Sequence, residues 1–191
     1  MQEEIEALHN NKTWELVPLP HRRKAIGNKW VYKIKRDGNY QVERYHVRLV
    51  VKGYAQKEGI NFNEIFSLVV RLITVKVVLT MCATLDLHLE QLDVKTVFLH
   101  GELEEEIYML QLESFAETGK KNLVCRLNKS LYGLRQASRR WYKRFNSFIM
   151  SLGYNRLSSD HCAYYKMFED NDFIIFLLYV DDMLVAGPNK V

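Results

Sequence analysis

Apolar positions along the chain recur with two spacings, and their succession predicts alternating helices and strands. Residues 3–10 carry Ile5 and Leu8 three apart in a polar stretch, the pattern of a short amphipathic helix. Pro18 and Pro20 then mark a loop. Residues 29–35, with Trp30, Val31, Tyr32 and Ile34, read as a strand, and 42–52 as its partner across the turn signal Asp37-Gly38-Asn39. Residues 74–85 place Val77, Val78, Met81 and Leu85 on one side of a helix, and 87–98 look strand-like around Asp93. The clearest helix is 136–152. There Trp141, Phe145, Phe148, Ile149 and Leu152 form one stripe, Arg139, Arg140, Lys143 and Arg144 lie off it, and Gly153 follows as a stop. Residues 163–168 and 173–180 form a further hairpin across 169–172. The regular strand–helix–strand rhythm of a parallel sheet is missing, so the expected fold class is α+β, a mostly antiparallel sheet with packed helices.

Charge adds a partner class to this picture. Ten Lys/Arg stand against two acids, Asp37 and Glu43, between positions 21 and 52, and ten more against none between 118 and 159. The acids gather instead at Glu3, Glu4 and Glu6 and at Glu102, Glu104, Glu105 and Glu106. Separated basic blocks predict a surface for a polyanion such as nucleic acid. A content of 48% hydrophobic and 12% aromatic residues in 191 excludes a disordered chain and suits one domain or one and a half. Cys82, Cys125 and Cys162 show no paired-cysteine spacing, which argues against a zinc site and for a reducing compartment. The longest apolar run, 173–180, is far short of the ~20 residues of a membrane span. The acidic start lacks a signal-peptide pattern, so an intracellular location, cytoplasmic or nuclear, is expected.

The chemistry is concentrated in Tyr179-Val180-Asp181-Asp182, two adjacent carboxylates between apolar segments. Ionised carboxylates resist desolvation unless a cation or hydrogen-bond donors neutralise them. Asp93 offers a third carboxylate in a similar setting. Taken singly, each has a plainer reading, a polar turn for the pair and a strand-end cap for Asp93. Together they are the parts of a two-metal phosphoryl-transfer site with oxygen ligands.

Five motifs then carry a resemblance: Lys29-Trp30-Val31-Tyr32-Lys33-Ile34-Lys35, Val50-Val51-Lys52-Gly53-Tyr54-Ala55-Gln56, Gln91-Leu92-Asp93-Val94-Lys95-Thr96-Val97-Phe98-Leu99-His100-Gly101, Ser130-Leu131-Tyr132-Gly133-Leu134-Arg135-Gln136-Ala137 and Tyr179-Val180-Asp181-Asp182. In order and spacing they resemble the reverse transcriptase of copia-type retrotransposons, over nearly the whole chain. The resemblance implies an RNA-directed DNA polymerase with the fingers and partial palm of a right-hand fold. It implies that Asp93, Asp181 and Asp182 are catalytic and hold two Mg²⁺ ions, or Mn²⁺, with the Val94 carbonyl a further ligand. It implies that Arg48 clamps the nucleotide triphosphate, that Phe98 blocks a ribose 2′-hydroxyl and that Gln136 packs over the incoming nucleotide. Lys33, Lys52, Arg139, Arg140, Lys143 and Arg144 are the expected contacts to an RNA or DNA template–primer. The implied partners are dNTP, nucleic acid and, in an intact element, other Pol domains such as RNase H and integrase.

The chain departs from that family's pattern at several positions. Leu68, Leu112 and Ser138 stand where prolines are usual, Ser114 where a glycine is, Val47 and Val97 where alanines are, and His46 where a lysine is. A proline in a compatible loop is worth roughly 0.4–1 kcal/mol, so the expectation is a loss of stability, with Val47 crowding Arg48 and Val97 crowding Phe98. One reverse transcriptase domain over 1–191 is expected, ending before the thumb, and as an isolated chain inactive. The competing readings are a non-catalytic retroelement remnant that at most binds nucleic acid, and a metal-dependent nuclease.

Overall fold

The computed structural model describes residues 2–94, 96–112, 119–169 and 172–188. In chain order the elements are α1 (Gln2–Asn10), β1 (Trp14–Pro18), β2 (Asn28–Arg36), β3 (Val42–Val51), α2 (Leu72–Leu85), β4 (His88–Asp93), β5 (Glu102–Met109), β6 (Leu123–Lys129), α3 (Ala137–Ser151), β7 (Asn155–Arg156), β8 (Ala163–Met167), β9 (Phe173–Tyr179) and β10 (Asp182–Gly187). Single 3₁₀ turns cover Gly53–Ala55 and Val97–His100. All ladders between these strands are antiparallel. The fold is therefore mixed helix and sheet, mostly antiparallel, as expected. Among the described residues no helix is long and apolar enough to cross a membrane.

The chain divides into two compact units, residues 1–65 with 98–141 and residues 66–97 with 142–191. The first contains a three-stranded sheet in the order β1-β6-β5 and the two-stranded ribbon β2-β3. Side chains alternate across a strand, and cross-strand partners share a face. The pairs Trp30↔Leu49, Tyr32↔Val47 and Ile34↔Tyr45 therefore make one face of the ribbon apolar, and Lys33↔His46 and Lys35↔Arg44, with Arg48, make the other basic. The root of the ribbon joins the core, where Leu49 and Val51 are enclosed with Leu8, Ile107, Met109 and Leu131. Glu4 of α1 accepts the Leu49 N–H at 3.4 Å, and burial raises its carboxyl above the ordinary range.

The second unit is built on one five-stranded sheet, β4-β10-β9-β8-β7. The apolar run at 173–179 is a central strand, flanked on both edges by partners. The strand around Asp93 is shorter than its sequence pattern suggests. It ends at Asp93, and Val97–His100 turns as a 3₁₀ helix. In α2 only Val78 of the expected side is fully buried, while Val77 and Leu85 are more than half exposed. In α3 the stripe narrows to Trp141, Phe145 and Ile149, with Phe148 and Leu152 exposed.

Asp160 ties α2 to this sheet. Its carboxylate is buried and accepts the Arg71 N–H (2.9 Å), the Thr74 hydroxyl (2.6 Å) and the Cys162 N–H (3.0 Å). The first two donors belong to the start of α2, where unpaired N–H groups favour an anion. Burial pushes the Asp160 carboxyl up, but the three hydrogen bonds outweigh it and hold it below its ordinary 3.8. The stabilisation is thus complete above the ordinary value and drains as pH falls through the depressed one. Asp160→Asn should cost about 1–3 kcal/mol in urea unfolding at pH 7. It should also flatten the stability–pH curve below pH 4, which unfolding curves at stepped pH would read.

Candidate active site

The hairpin between β9 and β10 has a two-residue loop, Val180-Asp181, closed by the pair Tyr179↔Asp182. Tight two-residue hairpins need positive φ at the first loop position. Val180 supplies it, at φ +57°, where a β-branched side chain is strained. The strain is tolerated because β9 and β10 are locked by their apolar pairing, with Leu177, Leu178, Val185 and Ala186 each enclosed.

β4 runs along the far side of β10, and the register puts Asp93 directly opposite Asp182. The Val94 N–H donates to the Asp181 carbonyl at 3.2 Å, so the chain leaving β4 is held at the hairpin loop. The fold thus brings all three carboxylates to one end of three neighbouring strands. Directly opposed like charges destabilise a sheet, and of the three only Asp182 has a side-chain donor among the described residues, Gln91 Nε2 at 3.2 Å from Oδ1. Among the described residues no three His, Cys, Asp or Glu side chains are gathered as a metal-ligand set. Strand register sets the three aspartates at one end of the sheet without gathering their carboxylates into a ligand set.

A second group of predicted residues lies in the first unit. The Arg48 guanidinium sits over the Tyr132 ring, 4.6 Å from its centroid, and Phe98 meets the same ring edge-on at 4.9 Å. Tyr132 therefore joins two residues that the sequence assigned separately to nucleotide binding. It lies within the motif Ser130-Leu131-Tyr132-Gly133, to which the resemblance attaches no role at this position. The glycine beside it is the available signal. Gly133 has φ +89°, and a Cβ there would come 2.1 Å from the Val51 carbonyl oxygen. The Val51 N–H donates to the Tyr132 carbonyl at 2.8 Å, so the backbone of 132–133 is pressed against the end of β3.

Gln136 differs from its expected placement. It is fully buried, its Nε2 donates to the Asn61 carbonyl (2.9 Å), and its Oε1 accepts from Gln56 Nε2 (3.0 Å). A side chain so enclosed braces the loops around it instead of offering a face to a ligand. Arg140 is likewise interior, 7% exposed and paired with Glu104 and Glu105, the latter at 2.8 Å. Arg139 pairs with Glu64. Lys143 and Arg144 remain exposed on α3, and Lys33 on the ribbon. Lys52 is half-buried beside Gly27, whose carbonyl accepts its N–H at 2.8 Å. On the basic face, burial and then the neighbouring charges of Arg44, Lys35, Arg48 and Lys33 hold His46 below its ordinary pKa.

A family model described as reverse transcriptase (RNA-dependent DNA polymerase) matches residues 11–191. The retrovirus-related Pol polyprotein of transposon TNT 1-94 from Nicotiana tabacum is 56% identical over 190 residues, 100% of this chain and 14% of that protein. The corresponding polyprotein of transposon RE2 from Arabidopsis thaliana is 36% identical over 192 residues, 100% of this chain and 13% of its own length. A transposon Ty1-BL Gag-Pol polyprotein of Saccharomyces cerevisiae is 25% identical across 97% of this chain. The chain thus spans about one seventh of the first two relatives. No solved structure matches.

The packing at Gly133 gives a direct check. Gly133→Ala should lower stability by about 3 kcal/mol or more, because it adds a clash with backbone to a positive φ. A urea midpoint within error of the parent would show that 132–133 does not press against β3.

Proposed function

The chain belongs to the reverse transcriptase (RNA-dependent DNA polymerase) family, as part of a copia-type retrotransposon Pol polyprotein, and on that premise we propose that its aspartate end is the catalytic centre of a palm and its basic ribbon part of the fingers. The reaction is nucleotidyl transfer. A primer 3′-hydroxyl attacks the α-phosphorus of a dNTP, and pyrophosphate leaves. The observation that carries the reading is the register that opposes Asp93 to Asp182 with Asp181 in the adjoining loop.

The donor chemistry fits a hard divalent cation: carboxylate oxygens, a nearby backbone carbonyl at Val94, and a like-charge repulsion that a cation would reverse. Asp93, Asp181 and Asp182 would hold two Mg²⁺ ions, or Mn²⁺, whose chemistry is to activate the hydroxyl and stabilise the leaving oxygen. The protein's own work is alignment, since a misplacement of about 1 Å can cost ~10²-fold in rate. Arg48 grips phosphate oxygens with its planar fork, oriented by the Tyr132 ring beneath it. Phe98, held edge-on against the same ring, presents the bulk that excludes a ribose 2′-hydroxyl. Gln136 contributes by fixing Gln56 and the backbone at Asn61. Lys33, Lys52, Lys143 and Arg144 contact the template–primer phosphates, while Arg139 and Arg140 act through the acids they pair with.

Primer extension on an RNA template with Mg²⁺ or Mn²⁺, by this chain or by a Pol polyprotein carrying it, tests the proposal. Asp181→Asn with Asp182→Asn should reduce extension at least ~10²-fold, as expected when groups aligned on the reacting atoms are lost. Extension unaltered by that change would overturn the assignment.

A further inference from the structure

A second concave site lies in the first unit, at residues the polymerase reading does not use. The loop after β1, the segment beyond Gly53–Ala55 and Tyr108 of β5 enclose a cavity of about 230 Å³. Ile26 and Ile60 line it with apolar surface, and Arg22, Arg23, Lys24 and Lys57 all border it. Four cations around one small hollow repel one another, and apolar walls strengthen the field between them. Neutralisation is incomplete. Glu106 pairs with Arg23 at 3.0 Å and also accepts the Tyr108 hydroxyl at 3.4 Å. The other acids of β5 serve elsewhere, Glu102 on Lys129 and Glu104 and Glu105 on Arg140. Arg22, Lys24 and Lys57 make no ion pair among the described residues.

The backbone supplies an independent observation. The Arg23 N–H donates to the Pro20 carbonyl at 3.1 Å, closing a turn whose third position is Arg22 at φ +67°. Glycine is the residue that such a position favours. An arginine held there carries backbone strain of the kind found at ligand sites, and it places a guanidinium at the cavity.

We propose that this cavity is an anion site that takes one phosphate group of a nucleic-acid strand, with the sugar against Ile26 and Ile60. Its volume is below the ~300–1,000 Å³ of small-molecule sites, which suits a single phosphate unit better than a whole cofactor. Only the source of the phosphate rests on the polymerase reading. The anion chemistry stands on the cavity itself.

The test uses the full chain in the presence of a chelator, so that the aspartates take no part through metal. Binding of a labelled single-stranded oligonucleotide is measured by fluorescence anisotropy over a salt series, and binding of inorganic phosphate by calorimetry. The variant Arg22→Gly/Lys24→Gln/Lys57→Gln should lose about 0.7 units from the slope of log K against log salt, the change that one neutralised phosphate of a single strand makes. Arg22→Gly alone should weaken binding while leaving the melting midpoint equal or higher, because glycine suits the turn. Asp181→Asn/Asp182→Asn should leave the binding of inorganic phosphate unchanged, which separates this site from the catalytic one. Loss in both arms of the triple variant supports the strand. Loss confined to inorganic phosphate supports the anion site and assigns it to a free anion. An unchanged salt slope together with unchanged phosphate binding overturns the proposal.

Discussion

The register of β10 between β4 and β9 is the constraint on which the aspartate end depends. Side chains alternate with a period of two, so a slip of one residue would turn every β10 side chain to the other face. In the observed register Asp182 stands opposite both Tyr179 and Asp93. A slip would set Met183 against Asp93 and bury a carboxylate among the apolar side chains. Burying an unpaired charge is far costlier than the strain at Val180. The apolar character of β9 thus secures the packing and also selects the register that sets the aspartates at one end of the sheet.

The first unit depends on a different device, the close approach of two backbones. Gly133 and Gly53 each lack the Cβ that would collide with the other segment's carbonyls. That approach lets the Tyr132 ring reach under Arg48 and beside Phe98. It also brings Gln56 to the Arg135 N–H (2.8 Å) and to Gln136. The buried amide pair is fully used, as buried polar groups must be to avoid a desolvation cost of about 1–3 kcal/mol each. The two faces of the ribbon follow from the same anchoring, because fixing Val51 fixes which side of β3 carries Arg48.

What could be read from the sequence was what is local. The β2-β3 ribbon, the β8-β9 hairpin and α3 announce themselves by period and by turn residues within a few positions. The strand β5 did not, because Glu102, Glu104, Glu105 and Glu106 have low strand propensity and read as a solvated acidic cluster. Its alternation becomes visible only once Leu103 and Ile107 are seen to face the core. β1 and β6 were missed with it, being its companions in one sheet. The proposed site residues divide the same way. Strand-end carboxylates are a local pattern, so Asp93, Asp181 and Asp182 stood out. The partners of Arg140 and Gln136 lie 35 and 80 residues away, and nothing near either residue signals that it is interior.

The positions that depart from the family's pattern take on a different meaning in three dimensions. Ser114 lies outside the described residues. Val47 does not crowd Arg48, because adjacent strand residues point to opposite faces, and its partner across the ribbon is Tyr32 on the apolar side. Leu112, in place of a proline, is enclosed in the core of the first unit. Burying a leucine side chain is worth about 1.5–3 kcal/mol, which exceeds the roughly 0.4–1 kcal/mol of lost proline rigidity. Val97 is fully buried, so the methyl groups it adds to an alanine are out of water. They stabilise the protein if the space exists and strain it if it does not. At Leu112 the departure thus exchanges one stabilising term for another, and none of the departures among the described residues lies on β4, β9 or β10, the strands whose register places the aspartates.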